Sequence, residues 1–138
     1  MSDSSHLAAI AEFLSMASGR PMQGCAPENI VERLEQVKQR HPGKPICVVS
    51  NWIYADLEVT DDQRDVFQRQ GLNPALLWAH NVLIDDWRPD YVGHCVRSTV
   101  QVSFIDGCLF ETRNTVYVLQ GQGVGKVVNA AIIMSILL

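Results

Sequence analysis

Residues 96–120 read VRSTVQVSFIDGCLFETRNTVYVLQ, and this stretch decides the fold class. Val96, Ser98, Val100, Val102 and Phe104 alternate with Arg97, Thr99, Gln101 and Ser103, the two-residue period of a strand with one buried face and one wet face. Asp106-Gly107 follows. Both central positions of a tight type I′ turn require positive φ, which Asp-Gly tolerates, so Cys108–Thr112 is expected to pair back. Arg113-Asn114 then turns the chain into Thr115–Leu119, giving a three-strand antiparallel meander over roughly residues 94–120.

Working upstream, Pro45–Val49 reads as a buried strand, Trp52–Val59 as a second extended segment and Leu76–Ile84 as a third. Thr60-Asp61-Asp62-Gln63 has the form of a capping box, which predicts a short polar helix to Gln70, closed by Gly71. Nearer the N-terminus, Ser4 and Ser5 are placed to cap a helix carrying Leu7, Ile10, Leu14 and Ala17 on one stripe, with Gly19 as its stop. Pro27 opens a second helix with Ile30, Leu34 and Val37 on its apolar face, ended by His41-Pro42-Gly43. Downstream, Gly121–Lys126 reads as a flexible break leading into the apolar run Val127–Leu138, 12 residues long. A bilayer-spanning helix needs about 20 residues, so this run is expected to return as a buried helix rather than to cross a membrane. The reading is an α+β protein with one domain over residues 1–138. Its sheet is mainly antiparallel with about five strands, and N-terminal helices and an apolar C-terminal helix pack on it.

Composition agrees with a folded chain: 47% of the 138 residues are hydrophobic and 19% charged, far from the profile of disordered sequences. A net charge of −4 disfavours coating nucleic acid, which needs clustered Lys and Arg. Cys25, Cys47, Cys95 and Cys108 form no C-x-x-C pair, and free buried thiols in a cytoplasmic protein without a leader are expected.

Two sets of residues are candidates for function. The first is Gly121-Gln122-Gly123-Val124-Gly125-Lys126 with Arg113 and Asn114, because strand, glycine-rich loop, Lys and helix is the order of phosphate-binding loops. Its spacing departs from both the Walker and the dinucleotide patterns, leaving anion binding by loop amides as its chemistry. The second is a contact surface formed by Arg97, Thr99 and Gln101 on the wet strand face, with Trp52, Trp78 and Trp87 as anchors. His80, His94, Cys95, Asp85 and Asp86 have no metal-ligand spacing, and neither a metal nor a cofactor is expected. No Ser lies in a nucleophile elbow.

His41-Pro42-Gly43-Lys44-Pro45, Trp52, and above all Thr112-Arg113-Asn114-Thr115-Val116-Tyr117-Val118-Leu119 followed by Gly121 and Gly123 resemble a family of small uncharacterised bacterial proteins, some carried on prophages. The resemblance spans roughly residues 41–123 and implies no activity. The expected function is a non-catalytic accessory module that binds a protein partner of host or phage origin, with the apolar C-terminus as a possible homodimer contact. The alternative is a small phosphate or nucleotide binder, or an enzyme, using Gly121–Lys126.

Overall fold

The computed structural model describes residues 3–136, with only the backbone given for the first two of these. In chain order the elements are α1 (Asp3–Leu14), β1 (Arg20–Gln23), α2 (Ile30–Arg40), β2 (Ile46–Leu57), α3 (Asp61–Arg69), β3 (Ala75–Asp85), β4 (Val96–Arg97), β5 (Gln101–Ile105), β6 (Leu109–Thr112), β7 (Val116–Leu119), β8 (Gln122–Val128) and α4 (Ala130–Met134). The mixed α+β class holds, but the sheet has eight strands rather than about five and curls into a half-barrel.

Its axis is β2. One side pairs antiparallel with β3 along its length. The other side pairs in parallel with β7 over Ile46–Val49 and with β8 over Ile53–Leu57. The segment expected as a flexible break is therefore a strand lying between β1 and β2. Glycine usually weakens strands unless something approaches closely. Here the Trp52 ring lies over Gly123, while Arg20 and Met22 lie over Gly125.

β2 also explains why the sequence reads as two extended segments. Val49 and Trp52, three residues apart, both enter the concave core, which strict alternation forbids. Asn51 between them has a φ of 51°. The opposite strand makes the same change of parity between Ala79 and Val82, beside a register shift. Such irregularities bend strands and re-aim side chains.

The curl is completed by residues 96–105. β4 pairs with Trp78 and Ala79 of β3. The Ser98 N–H then donates to the Leu77 carbonyl and the Asn73 N–H to that of Gln101, before β5 crosses to β6. One continuous strand with a wet face was expected. The segment instead breaks between β4 and β5; Ser98 is buried as the pattern requires, but Gln101, expected on the wet face, is buried and Val102, expected in the core, is exposed. The meander itself forms. Asp106 and Gly107 have φ of 57° and 65°, and the Cys108 N–H donates to the Ile105 carbonyl, as a tight hairpin turn requires.

Trp52, Tyr54, Leu77, Phe110, Tyr117 and Leu119 fill the concave side. On the convex side, α1 and α4 cover Ile53, Leu76 and Trp78, and α2 covers Ile46, Val48 and Val116. The capping box is present as read: the Thr60 hydroxyl accepts from the Gln63 N–H, and the Gln63 side chain accepts from the Thr60 N–H. At the N-terminus α1 begins at Asp3, so Ser4 and Ser5 lie within its span rather than ahead of it. In the C-terminal run Ile133 is buried, Val127 and Met134 are exposed, and Leu137 and Leu138 lie outside the described residues.

Two cysteines correct the expectation of free thiols. Cys25 and Cys108 form a disulfide, with Cα atoms 5.0 Å apart and 83 positions between them in sequence. Both lie in the core under α2. Their pairing is invisible in linear spacing because the turn at Gly107 reaches the Gln23 backbone only in three dimensions. Cys47 and Cys95 are free.

Candidate functional site at the mouth of the curled sheet

The concave face opens at one end into a cleft of about 510 Å³. Its floor includes Val96 and Tyr117. One lip is the β3–β4 connection, with Trp87, Arg88 and Tyr91; the other is the β6–β7 turn, with Asn114 and Thr115. Arg97 and Thr99 close the side. Barrel mouths are common ligand positions because the surrounding strands fix their rims.

Both lips are held by side chains that bond to backbone. Asp85, buried at the end of β3, accepts from the Trp87 N–H at 3.0 Å and the Arg88 N–H at 2.8 Å with one oxygen, and from Arg88 Nη2 at 3.3 Å with the other. Arg88 in turn lies over the Tyr91 ring, 3.9 Å from its centroid. On the opposite lip the Thr112 hydroxyl accepts from the N–H groups of Asn114 and Thr115. The Arg97 guanidinium donates through Nη1 to the carbonyls of Ile133 and Ile136, tying β4 to the end of α4.

The acid–base character of the floor is inert at neutral pH. Burial, with the neighbouring Cys47 and Asp85 charges, pushes the Tyr117 hydroxyl up to about 12. Burial and Asp85 likewise push the Cys47 thiol up to about 12. A nucleophile or general base works near the operating pH, and neither group does. Among the described residues no three His, Cys, Asp or Glu side chains form a group that could hold a metal ion.

A second cleft, about 470 Å³, lies on the other side of Trp87 and Pro45 and includes Lys38, His41, Lys44 and Asp86. Behind it Glu111 accepts from Lys44 Nζ at 2.8 Å and from the Ser103 hydroxyl at 2.8 Å, with His41 Nδ1 at 3.4 Å. Burial raises the Glu111 pKa, but the hydrogen bonds from Lys44 and Ser103 and the Lys44 and His41 charges outweigh it and hold the carboxyl below its ordinary value of 4.5. A carboxyl depressed in the fold contributes stability above its unfolded pKa and loses it as pH falls through the folded value. Replacing Glu111 with Gln should therefore lower the denaturant midpoint at pH 7. The difference from the natural protein should shrink on acidification below 4.5. Urea titrations across that range check this, and a constant difference would refute it.

The structure gathers four of the sequence candidates, Trp87, Arg97, Thr99 and Asn114, into the mouth cleft. It separates the others. Trp52 is buried under Gly123. Gln101 is also buried, its side-chain oxygen accepting from Tyr54 and Asn73. Arg113 turns outward to the Gln70 carbonyl. Gly121 sits at a kink with φ of 74°, and Gly123 and Gly125 belong to β8. Lys126 donates to the carbonyls of Glu12 and Ser15 at 2.5 and 2.6 Å and so closes the C-terminal end of α1. Of the histidines, His80 bonds to the Leu14 carbonyl while His94 packs on Tyr91. Sequence reasoning missed Arg88 and Tyr91 as parts of the site and weighed Asp85 only as a metal ligand; the short-range signal was the polar and aromatic run Asp85-Asp86-Trp87-Arg88-Pro89.

No curated protein matches the chain and no solved structure does. A family model described as a domain of unknown function, DUF6957, matches residues 23–135. That span takes in every strand pairing around β2 and all of the mouth, so the chain belongs to the DUF6957 family.

Proposed function

We propose that this protein is a non-catalytic binding module that receives a segment of a protein partner across Trp87 and into the mouth of the curled sheet. The observation that carries the reading is the contrast among the three tryptophans. Trp52 and Trp78 are 0% and 3% exposed, whereas Trp87 is 70% exposed on the ridge between two clefts. Its backbone is already fixed by Asp85, so a partner has only the side chain of this anchor to order. The inert Tyr117 and Cys47 fit binding better than chemistry. The 83-residue disulfide weighs toward an oxidising compartment over the cytoplasm read from sequence.

The phosphate-loop alternative finds no support here, because its glycines lie in a paired strand and its lysine is engaged by α1. Replacing Trp87 with Ala should leave the unfolding free energy within about 0.5 kcal/mol of the natural value, as exposed substitutions do. The same change should weaken peptides selected from a random display library by about 30-fold or more, the cost of losing a central aromatic anchor. A library in which every selected peptide binds the variant as well as the natural protein would overturn the reading.

A further inference from the structure

We infer that two copies of this chain pair, about a twofold axis, through the outer face of α1 and α4; this face is on the convex side and the inference stands apart from the binding reading at Trp87. Both helices are uncharged there. From Ser4 to Ala11 and from Asn129 to Ile136 the sequence holds no Asp, Glu, Lys or Arg, and a hydrogen bond of 3.1 Å between His6 Nε2 and the Ser135 hydroxyl sets the two helices side by side. Leu7, Met134 and, at the end of β8, Val127 are 62%, 55% and 70% exposed on this face. Exposed Val31 and Val66 differ. They stand on α2 among Glu32, Arg33 and Glu35 and on α3 among Asp62, Arg64 and Asp65, where single apolar residues on charged helices are ordinary.

A twofold contact uses the same patch on both copies, so that patch must carry a projection and also the recess that receives it. This face has both. Between α1, α4 and the end of β8 lies a cleft of about 470 Å³ with Ala9, Phe13, Val127, Val128 and Ile132 in its wall. Leu7 and Met134 stand on the two helices that wall it, so they can enter the cleft of a copy while the copy's residues enter this one. Methionine adapts its shape to such gaps, and apolar residues with few charges make up the centre of homodimer interfaces.

Charge favours a copy as the occupant. At a net charge of −4 two chains repel, and their association is least opposed where neither brings a charge. The charged side chains lining the cleft are Glu12, Glu58 and Lys126, and Lys126 directs its ammonium donors to the Glu12 and Ser15 carbonyls and the Ser18 hydroxyl. Two carboxylates beside one ammonium give little hold on a strongly basic or acidic partner, whereas an apolar side chain enters without meeting like charge. A lipid surface suits the face less well. Interfacial helices flank their apolar side with Lys and Arg that hold anionic headgroups, and α1 and α4 carry neither.

The test is sedimentation equilibrium of the full chain over a range of concentrations, with neutral phosphatidylcholine vesicles as a parallel probe. The natural chain should show a monomer–dimer equilibrium. Leu7→Lys and Met134→Lys alter exposed positions and should keep the fold. A twofold axis repeats each new charge, so either change should weaken the dimer about 100-fold or more. Val31→Lys and Val66→Lys, also exposed but outside the face, should leave it unchanged. Ala9→Phe fills the recess without adding charge and should also give a monomer, with thermal melts to show that it is folded. A natural chain that stays monomeric, a dimer indifferent to the lysines at Leu7 and Met134, or one weakened as much by Val31→Lys overturns the inference. Open-ended polymers exclude the twofold and overturn it too. Vesicle binding by a monomer, lost with the same two lysines, puts a lipid surface in the place of the copy. Each of these outcomes leaves the reading at Trp87 standing, because that residue lies at the mouth.

Discussion

Removing the Cys25–Cys108 bridge, by reductant or by replacing both cysteines with Ala, is expected to cost this protein about 4–5 kcal/mol of stability. The figure comes from the unfolded chain. A cross-link between positions 83 apart denies the denatured ensemble the freedom of a loop that long, and the chain-entropy relation gives about 4.6 kcal/mol at 25 °C. A domain of this size is stable by about 5–15 kcal/mol in total, so the bridge accounts for a large share, and the thermal midpoint should fall by on the order of 15 °C. The native state should change little, because both cysteines lie in a core built by Ile46, Val48, Val116 and Val37. Thermal melts with and without reductant check this, alongside thiol labelling of the denatured, unreduced chain. The labelling should find only Cys47 and Cys95 reactive. Reactivity at all of the four cysteines, or coincident melts, would sink the expectation.

Gly123→Ala is expected to destabilise by about 1–3 kcal/mol, an overpacking cost that arises although Ala adds a single methyl group. A Cβ built on Gly123 would stand 2.5 Å from Cε2 and Cε3 of Trp52, and closer still to Cδ2. Trp52 cannot yield cheaply: it is fully buried in the concave core. Both backbones are fixed as well, since β8 lies beside β2 in a parallel pair at Ile53–Val124. The strain should be relieved by shrinking the ring, so Trp52→Phe combined with Gly123→Ala should be more stable than the sum of the two single changes predicts. A coupling of about 0.5–3 kcal/mol is the range for residues in contact. Denaturant titrations of the four proteins in the cycle measure it. Additive effects would show that the glycine is not there to admit the indole.

Local rules written in consecutive residues were legible. Thr60 to Gln63 announced a cap, Asp106-Gly107 announced a turn, and the Pro27 to His41 periodicity announced a helix. The cap and the turn are each complete within one turn of chain, where side chain and backbone satisfy each other with no help from elsewhere, and the helical period needs only consecutive residues of one segment. The wet face of residues 96–104 was half wrong for the converse reason: a two-residue period holds only while the strand is unbroken, and the break between β4, paired with β3, and β5, paired with β6, shifts which residues are buried.

The candidate site shows the same division. Trp87, Arg97, Thr99 and Asn114 stood out as exposed polar or aromatic residues, and they do converge. Trp52 and Gln101 carried the same signal and are buried. Residue type alone cannot separate an aromatic anchor from an aromatic core. The glycines of 121–125 misled most, since glycine marks both a loop that needs freedom and a strand that must admit a neighbour.

By itself, then, the sequence determined the α+β class, the capping box of α3 and the hairpin, because short-range sterics and hydrogen bonding decide them. The tertiary structure alone decided the parallel placement of β7 and β8 beside β2, the Cys25–Cys108 bridge, and the meeting of Asp85, Arg88 and Arg97 at one mouth. Those depend on the bend at Asn51 and on contacts between residues tens of positions apart, whose closure is set by the packing of the whole core rather than by any neighbouring residue.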